Sequence, residues 1–253
     1  MNLIIALLLV MVMIAGCKPK IDESKIALTE KELAYIAGHP SVAWAVEENR
    51  PPYIFVEGGS PAGLAPEYIS VIARKTGLKF YPVKTGSFES SIEALRSGKV
   101  EVMTSIRPTP ESAEFMGFTP PFASQAGVFI FRINTLSRSP LTTGILKNSA
   151  AKKYLLQRFP DMNLIETADD EQSTVLLKKG LIDGWVTDTG SAAHLTKKIG
   201  VETRSVIINF DYPYSMAYRR ENTVLGSILT KAIASITPED KIKLNRRWLA
   251  EEK

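Results

Sequence analysis

The chain has 253 residues, of which 45% are hydrophobic and 23% charged, with a formal net charge of +4 from 31 basic and 27 acidic residues. This length suits one large folded domain or two smaller ones, each with its own hydrophobic core. Because the basic residues form no long run and do not alternate with aromatic residues, the charge pattern predicts no nucleic-acid partner.

The N-terminus has the pattern of a targeting segment. Residues 3–14 are apolar without interruption; the run is shorter than the roughly 20 residues that a membrane-spanning helix needs, but it is typical of a secretory signal. The following Ile14-Ala15-Gly16-Cys17 resembles the lipobox of bacterial lipoproteins, in which the signal is removed and the cysteine is lipidated. We expect a signal peptide over residues 1–16 and lipidation of Cys17, with a plain secretory signal as the alternative.

Cys17 is the only cysteine of the chain. A disulfide within one monomer is therefore excluded, and acylation explains a lone cysteine at this place better than catalysis does. Residues 17–27 are expected to form the lipidated cysteine and a polar tether. The mature protein is then expected on the periplasmic side of the cell envelope, where lipid attaches it to the membrane.

Strands and helices alternate along the rest of the chain. A capping box, Thr29-x-x-Glu32, predicts a first helix that ends before Pro40. Periodicity, caps and glycines predict the following elements in this order: a strand over 42–46, a helix over 66–75, a helix from 88 that Gly98 ends, strands over 99–106 and 127–132, a helix after 148–149 that ends at 159, a helix over 175–179, a strand over 184–187, a helix over 224–236, and a last helix capped by Thr237. This alternation is typical of an α/β sheet protein.

The segment from residue 95 to residue 122 predicts the most specific local structure. Thr109 is expected to cap a helix that follows the strand over 99–106 and has Pro110 at its first position. A strand that leads into a capped helix directs backbone N–H groups and the positive end of the helix dipole at one place, which suits a small anion such as a carboxylate. An ordinary strand-to-helix connection is the alternative.

Residues suited to catalysis are scarce. The two histidines, His39 and His194, occupy positions typical of a helix cap and a helix surface. The sequence contains no phosphate-binding loop, nucleophile elbow or zinc-binding helix motif, and no His/Cys cluster has metal-ligand spacing. We therefore expect no enzyme, no cofactor and no metal site.

The order of these elements resembles the bacterial extracellular solute-binding proteins of family 3, which bind polar amino acids and have the type II periplasmic binding fold. Within that family the chain is similar to the Venus-flytrap sensing modules of histidine kinases. The stretches that carry the resemblance are LTEKELAYIAGHPSVAWAV, PPYIFVEGGSPAGLAPEYISVIARKTG, LRSGKVEVMTSIRPTPE, FTPPF, LKKGLIDGWVTD and SITPEDKIKLNRRWL.

The resemblance implies an α/β fold of two lobes that are joined by two crossings and close on a small ligand, the Venus flytrap arrangement. The crossings are expected near residues 122–126 and 213–216. One lobe is expected to hold residues 28–123 plus 216–253, and the other residues 127–212.

The resemblance also implies which residues contact the ligand. Tyr53 is expected to pack against the ligand body, with packing on its own lobe as the alternative. Asp188 is expected to pair with the α-amino group of the ligand, with a solvated strand end as the alternative. Asp183 and Trp185 are expected to serve the fold. The other expected site positions are Thr104, Ser105, Arg107, Thr109, Ser112, Asn148, Ser149 and Ala150.

Three of these positions depart from the family pattern. Where this chain has Ser112, the family usually has an arginine, whose guanidinium forms two parallel hydrogen bonds with the ligand carboxylate. The family usually has a hydroxyl residue where this chain has Ala150, although Ser149 stands beside it. Arg107 replaces a small hydroxyl residue, and we expect its guanidinium to enter the cleft and supply the missing charge, which would favour a smaller ligand or a shifted pose. An Arg107 side chain that points to solvent is the alternative.

These residues predict a monomeric, lipid-anchored solute-binding protein for a small amino-acid-like ligand, with an ABC permease or a sensor protein as its partner. Because no kinase or membrane-spanning segment follows Lys253, signalling is expected to pass through a separate protein. Two alternatives stay open: an enzyme on the same fold, of the cyclohexadienyl dehydratase kind, and a flytrap that no longer binds solute and serves as an envelope interaction module.

Overall fold

The computed structural model describes residues 21–22, 24–135, 139–147, 149 and 151–249. The predicted signal peptide and lipidation site Cys17 lie outside these residues, as do Asn148 and Ala150. None of the helices in the described part of the chain combines the length and the apolar character that a membrane crossing requires.

Helices and strands alternate over most of the described residues. The helices are α1 (Glu30–Gly38), α2 (Leu64–Thr76), α3 (Phe88–Arg96), α4 (Ala151–Arg158), α5 (Asp170–Lys179), α6 (Thr189–Ile199), α7 (Thr223–Ala234) and α8 (Pro238–Trp248). The strands are β1 (Val42–Glu47), β2 (Asn49–Arg50), β3 (Ile54–Glu57), β4 (Ser60–Ala62), β5 (Phe80–Gly86), β6 (Val102–Ile106), β7 (Met116–Phe118), β8 (Ala123–Arg132), β9 (Thr142–Leu146), β10 (Asn163–Thr167), β11 (Gly184–Asp188) and β12 (Thr203–Arg219).

Most strands form one mixed sheet in the order β10-β9-β11-β8-β12-β6-β1-β5, and β7 pairs with β12. The long strands β8 and β12 pair antiparallel at its centre, from Thr203 opposite Arg132 to Tyr214 opposite Ala123. We call the part built on β1, β5, β6 and β7 the first half and the part built on β9, β10 and β11 the second half. The segments predicted as crossings, residues 122–126 and 213–216, overlap the start of β8 and lie in β12, respectively. The division of the chain into lobes stays a prediction.

Helices cover both halves of the sheet. In the first half, α3 packs on β1 and β5, α1 and α2 pack with α7 around the other face, and α8 packs on α2. In the second half, α5 packs on β9 and α6 packs on β8. The largest group of buried apolar side chains is continuous across the molecule, because it includes Leu64 and Leu229 of the first half together with Ile145 and Val186 of the second. Hydrophobic burial therefore joins the halves as well as stabilising each of them.

Local signals set several of these boundaries as predicted. Thr29 and Glu32 form the expected capping box of α1, and Gly77 ends α2 in the left-handed conformation. Gly63, which precedes α2, has a φ of 111°, and a Cβ there would lie 2.6 Å from the carbonyl oxygen of Tyr53. Only glycine fits this close approach between the Tyr53 loop and α2.

The helix predicted after Thr109 is wrong. The segment forms a single turn of 3₁₀ helix over Ser112–Glu114, although the Ser112 N–H donates to Thr109 Oγ1 at 3.2 Å as a cap would require. The chain then enters β7 instead of continuing the helix. A single turn has too few aligned peptide groups to build a helix dipole, so the predicted anion site at this place loses its physical basis.

The buried carboxylate of Glu32 connects α1 to α7. It accepts hydrogen bonds from Ser227 Oγ and Lys231 Nζ, both at 2.7 Å. Burial alone would raise the pKa of Glu32, but the hydrogen bonds from Lys231 and Thr29 outweigh it and lower the pKa to about 2. Because this pKa lies below the ordinary 4.5, the carboxylate stabilises the fold above pH 4.5 and loses that contribution as the pH falls through 2.

We predict that Glu32→Gln lowers the free energy of unfolding by about 2 kcal/mol at neutral pH, as expected for hydrogen bonds to a charged group. The difference from wild type should shrink as the pH falls from 4.5 toward 2. Urea unfolding at several pH values measures it, with Glu30→Gln, which changes an exposed acid of the same helix, as the control. A difference that is the same at every pH would contradict this assignment.

Candidate functional site

The two halves meet around a cavity of about 20 Å³ that charged and aromatic side chains line. The lining includes Arg50 and Arg107 from the first half, Asp170 and Asp188 from the second half, and Tyr212 and Tyr214 from β12. A space of this size holds about one water molecule. The protein's own side chains therefore fill most of the cleft between the halves.

Asp188 is the residue on which the contacts of this cavity converge. It ends β11 and caps α6, so that its Oδ1 accepts from the Ser191 N–H at 3.0 Å and its Oδ2 from the Ser191 hydroxyl at 2.9 Å. Tyr214 donates to Oδ2 at 2.9 Å, and Tyr53 donates to Oδ1. Asp188 is 2% exposed, and its hydrogen bonds connect both halves of the molecule.

Tyr53 reaches Asp188 from the turn between β2 and β3. Its backbone N–H donates to Arg50 O at 3.0 Å, and its carbonyl accepts from the Ala65 N–H at 2.8 Å, which fixes the turn against the start of α2. The ring packs on Tyr214, with 4.3 Å between ring centroids. Burial and the charge of Asp188 raise the pKa of both tyrosines well above the ordinary value. Both hydroxyls therefore stay protonated and act as donors.

Arg107 follows β6 and points into the cleft between the halves. Its guanidinium lies over the ring of Tyr212, 3.8 Å from the centroid, and its Nη2 lies 3.5 Å from Ser149 Oγ of the second half. Its Nη1 and the Tyr212 hydroxyl are buried without a hydrogen-bond partner among the described residues. Burial raises the pKa of Tyr212 to about 12. This side of the cavity thus presents an unused guanidinium N–H donor beside a hydroxyl that can both donate and accept.

Arg50 is a central residue of the cleft that sequence reasoning missed. It forms an ion pair with Glu47 at 3.3 Å and donates to the carbonyl of Ser105 at 2.8 Å. The rings of Tyr53 and Tyr214 each lie 5.8 Å from its guanidinium carbon. Ser105 has a φ of 55°, a left-handed conformation that is unusual for a residue other than glycine. The strand end is therefore strained where its carbonyl meets Arg50.

Asp170, the first residue of α5, is a second missed residue. Its Oδ1 accepts a hydrogen bond from Trp185 Nε1 at 2.8 Å. Burial and the nearby charge of Asp188 raise the pKa of Asp170 to about 6, although Trp185 and Arg50 act in the opposite direction. The two carboxyl groups of the cavity therefore differ: Asp188 accepts four hydrogen bonds, whereas the raised pKa of Asp170 means that its ionisation costs free energy.

The predicted site residues separate into two groups in space. Arg107, Ser149 and Asp188 line the cavity, and Tyr53 contacts Asp188. The side chains of Thr104 and Ser105 are buried, and their hydroxyls have no hydrogen-bond partner among the described residues.

Thr109 and Ser112 do not line this cavity. They bond each other within their turn, where the Thr109 N–H donates to Ser112 Oγ at 2.9 Å. Both line a separate open groove of about 850 Å³, which Ser149 also lines. Ala150 and Asn148 lie outside the described residues.

The residues expected to serve the fold have structural contacts. Asp183 accepts from the Thr142 N–H at 2.9 Å, which ties β11 to the start of β9, and Trp185 is fully buried. Among the described residues, no three His, Cys, Asp or Glu side chains converge as metal ligands would.

A sequence signal for the missed residues existed. Phe210, Tyr212 and Tyr214 alternate along β12 and therefore share a face, and Arg50 stands immediately before the Pro51-Pro52-Tyr53 turn. The contact of Arg50 with the Ser105 carbonyl joins residues 55 positions apart, so only the fold brings these two groups together.

We predict that Asp170→Asn makes the protein about 1 kcal/mol more stable above pH 6, because an amide avoids the cost of ionising this half-buried group while its oxygen still accepts from Trp185. Because the pKa of Asp170 in the folded protein is about 6 instead of the ordinary 3.8, its ionised form lowers the free energy of unfolding above pH 6. This loss disappears below pH 3.8, where the group is protonated in both states. Thermal unfolding across this pH range measures the effect. Asp169→Asn, which changes the neighbouring N-cap, is the control, and equal stability of Asp170→Asn and wild type at all pH values would contradict the prediction.

Similarity to known proteins agrees with this architecture. Residues 42–251 match the family model for bacterial extracellular solute-binding proteins, family 3. The virulence sensor protein BvgS of Bordetella pertussis is 23% identical over 243 residues, which cover 92% of this chain and 20% of BvgS. The chain therefore spans about a fifth of the length of the sensors that it matches. The ABC transporter arginine-binding protein 1 of Escherichia coli K12 is 25% identical over 173 residues, or 64% of this chain and 71% of that protein.

Solved structures show the same fold. The periplasmic VFT2 domain of BvgS superposes with a TM-score of 0.81 at 22% identity, covering 88% of this chain and 99% of that domain. An ancestral amino acid-binding protein, a precursor of cyclohexadienyl dehydratase, superposes with a TM-score of 0.72 at 17% identity, covering 86% of this chain and 99% of that one. The predicted two-lobed Venus flytrap fold is confirmed, and the chain belongs to the bacterial extracellular solute-binding proteins, family 3.

Proposed function

We propose that this protein closes its two halves on a small polar ligand that bears a carboxylate, and presents that ligand to an ABC importer or to a signalling partner. Homologues that are sensor and arginine-binding proteins support a binding role. In this proposal the lobes are residues 28–123 plus 216–253 and residues 127–212, with β8 and β12 as the crossings.

The Nη1 atom of the Arg107 guanidinium, which has no hydrogen-bond partner among the described residues, is the observation that carries the proposal. The guanidinium reaches across the boundary between the halves, and this Nη1 atom is buried. Leaving a buried donor of a charged group unpaired costs free energy. A carboxylate removes that cost, since its two oxygens match the two parallel N–H groups of a guanidinium.

Ser149 explains why such a ligand would favour the closed arrangement. Its hydroxyl belongs to the second half and lies 3.5 Å from Arg107 Nη2 of the first half. A carboxylate placed between these groups accepts hydrogen bonds from both halves at once. It therefore binds the closed arrangement more tightly than an open one, and binding shifts the population toward closure.

An enzyme on this fold has one observation in its favour. The Asp170 carboxyl group lines the cavity and has a pKa of about 6, which is in the range of a general acid at neutral pH. A product assay with prephenate and arogenate tests this alternative. If the wild type forms product and Asp170→Asn does not, the protein is an enzyme and the binding proposal is wrong.

We predict that Arg107→Ala abolishes ligand stabilisation, whereas Ser112→Ala changes it little because Ser112 lies outside the cavity. The measurement is a thermal-shift screen against amino acids and small mono- and dicarboxylates. A ligand at about 100 times its dissociation constant stabilises the fold by roughly 2.7 kcal/mol, or about 5–10 °C for a chain of this size.

Arg107→Lys is the matched variant, since it keeps the charge but loses the fork and the stacking on Tyr212. We expect a smaller ligand-induced increase in Tm for this variant than for the wild type. An unchanged shift in Arg107→Ala would contradict the proposed site, and no shift of wild type with any compound would contradict the solute-binding role.

We further propose that Cys17 anchors the mature protein by lipid, as its lipobox-like context indicates. Because Cys17 is the only cysteine, acylation of its sulfur leaves the protein without a thiol. We predict that the bacterially expressed protein partitions with membranes and does not react with maleimide, and that Cys17→Ser releases it from the membrane fraction. A maleimide-reactive wild-type protein in the aqueous fraction would show that the anchor is absent.

A further inference from the structure

We propose that the ligand of this cleft is a small carboxylate without an ammonium group, because the protein's own hydroxyl groups use the acceptor positions that an ammonium would need. This inference rests on the proposed function, since it concerns the ligand of the same cleft. It is carried by the hydrogen bonds around Asp188 and by the unused donors on the opposite side of the cavity.

The hydrogen-bonding capacity of Asp188 is fully used. A carboxylate has about four lone-pair positions, and Asp188 receives one hydrogen bond from Tyr53, one from Tyr214 and two from Ser191. An ammonium group would need to displace one of these donors. The two from Ser191 belong to the cap of α6, so a tyrosine hydroxyl would have to leave.

Tyr53 occupies a place that is built for its hydroxyl. The side chain is fully buried, and a Cβ on Gly190 would lie 2.7 Å from the hydroxyl oxygen. The glycine therefore provides the space into which the hydroxyl fits. Because backbone hydrogen bonds fix the Tyr53 turn to α2, the same hydroxyl returns to Asp188 each time the halves close, and it competes there with any ammonium group.

The other acids near the cavity do not provide a better place for an ammonium group. Glu47 already forms an ion pair with Arg50 at 3.3 Å. Asp170 accepts a hydrogen bond from Trp185 and is close enough to Arg50 for the two charges to interact. The positive charge of Arg50 would therefore repel an ammonium group placed beside Asp170.

The unused groups of the cavity are a guanidinium N–H, which can only donate, and a phenol hydroxyl whose ring lies against that guanidinium, so that an ammonium group there would meet a positive charge. The Arg107 Nη1 and the Tyr212 hydroxyl are buried without partners among the described residues. No ion pair joins Arg107 to a carboxylate within that part of the chain. The cavity therefore favours a ligand that accepts hydrogen bonds and carries negative charge, and it offers little to a ligand that also donates from a cation.

Matched ligand pairs test this inference. Titration calorimetry of the mature protein compares succinate with aspartate, glutarate with glutamate, and propionate with alanine, which differ only in the amino group. We expect the compound without the amino group to bind at least about tenfold more tightly in each pair that binds, which corresponds to one hydrogen bond to a charged group.

Two isosteric variants test whether the saturation of Asp188 causes this preference. Tyr53→Phe and Tyr214→Phe each free one lone pair of Asp188, so each should reduce the preference against the amino acid by about tenfold. Tyr68→Phe is the matched control, because its hydroxyl donates to the Phe122 carbonyl at 3.0 Å, away from the cavity. It should leave the preference unchanged.

The outcomes separate this inference from the proposed function. Amino acids that bind wild type as tightly as their partners would overturn the inference and leave the solute-binding function standing. A preference that Tyr53→Phe and Tyr214→Phe both leave unchanged would overturn the role assigned to Asp188. Absence of binding by both members of every pair would overturn the carboxylate-binding function and, with it, this inference.

Discussion

The hydrogen bonds that Tyr53 and Tyr214 donate to Asp188 are the interaction on which the contact between the two halves depends. A carboxylate that is 2% exposed would cost several kcal/mol if it were left without partners. The cap of α6 supplies only part of what it needs, and the two tyrosines supply the rest. Tyr53 comes from the first half, so satisfying this one acid brings the halves together.

The surrounding contacts are consistent with that arrangement. The Tyr53 and Tyr214 rings belong to an apolar core that continues into both halves, so closing the cleft also removes hydrophobic surface from water. Arg50 lies against the same two rings and is neutralised by Glu47. The cleft thus combines apolar packing with buried charges that are mostly paired.

The exception is Arg107, and it gives the site its chemical character. Its guanidinium is held in place by the Tyr212 ring, yet one of its donors is unused among the described residues. The acceptor positions of Asp188 are used by the protein itself, while the Nη1 donor of Arg107 is left over. This difference is the physical basis of the proposed anionic ligand and of the proposed preference against an ammonium group.

Much of the fold could be predicted from the sequence because it follows from local rules. The capping box at Thr29, the glycine after α2 and the continuous apolar run of β1 act over a few residues, and the structure has them where they were expected. The helix after Thr109 was wrong because a cap alone does not decide whether the next residues continue a helix or enter the sheet. Arg107 and Asp188 were identified as site residues from resemblance, and the structure places both at one cavity, although their role toward a ligand stays a proposal.

Only the tertiary structure decided how these groups are used. Arg50, Asp170 and Tyr214 come from three separate elements far apart in the chain, and nothing in their sequence neighbours shows that they meet. The saturation of Asp188 depends on a tyrosine 135 residues away in the chain, a contact that exists only after both halves have folded and packed together. The sequence by itself determined most of the helices, several of the strands and the family. The tertiary structure decided which donors and acceptors remain free for a ligand, because hydrogen-bond satisfaction is a property of neighbours in space.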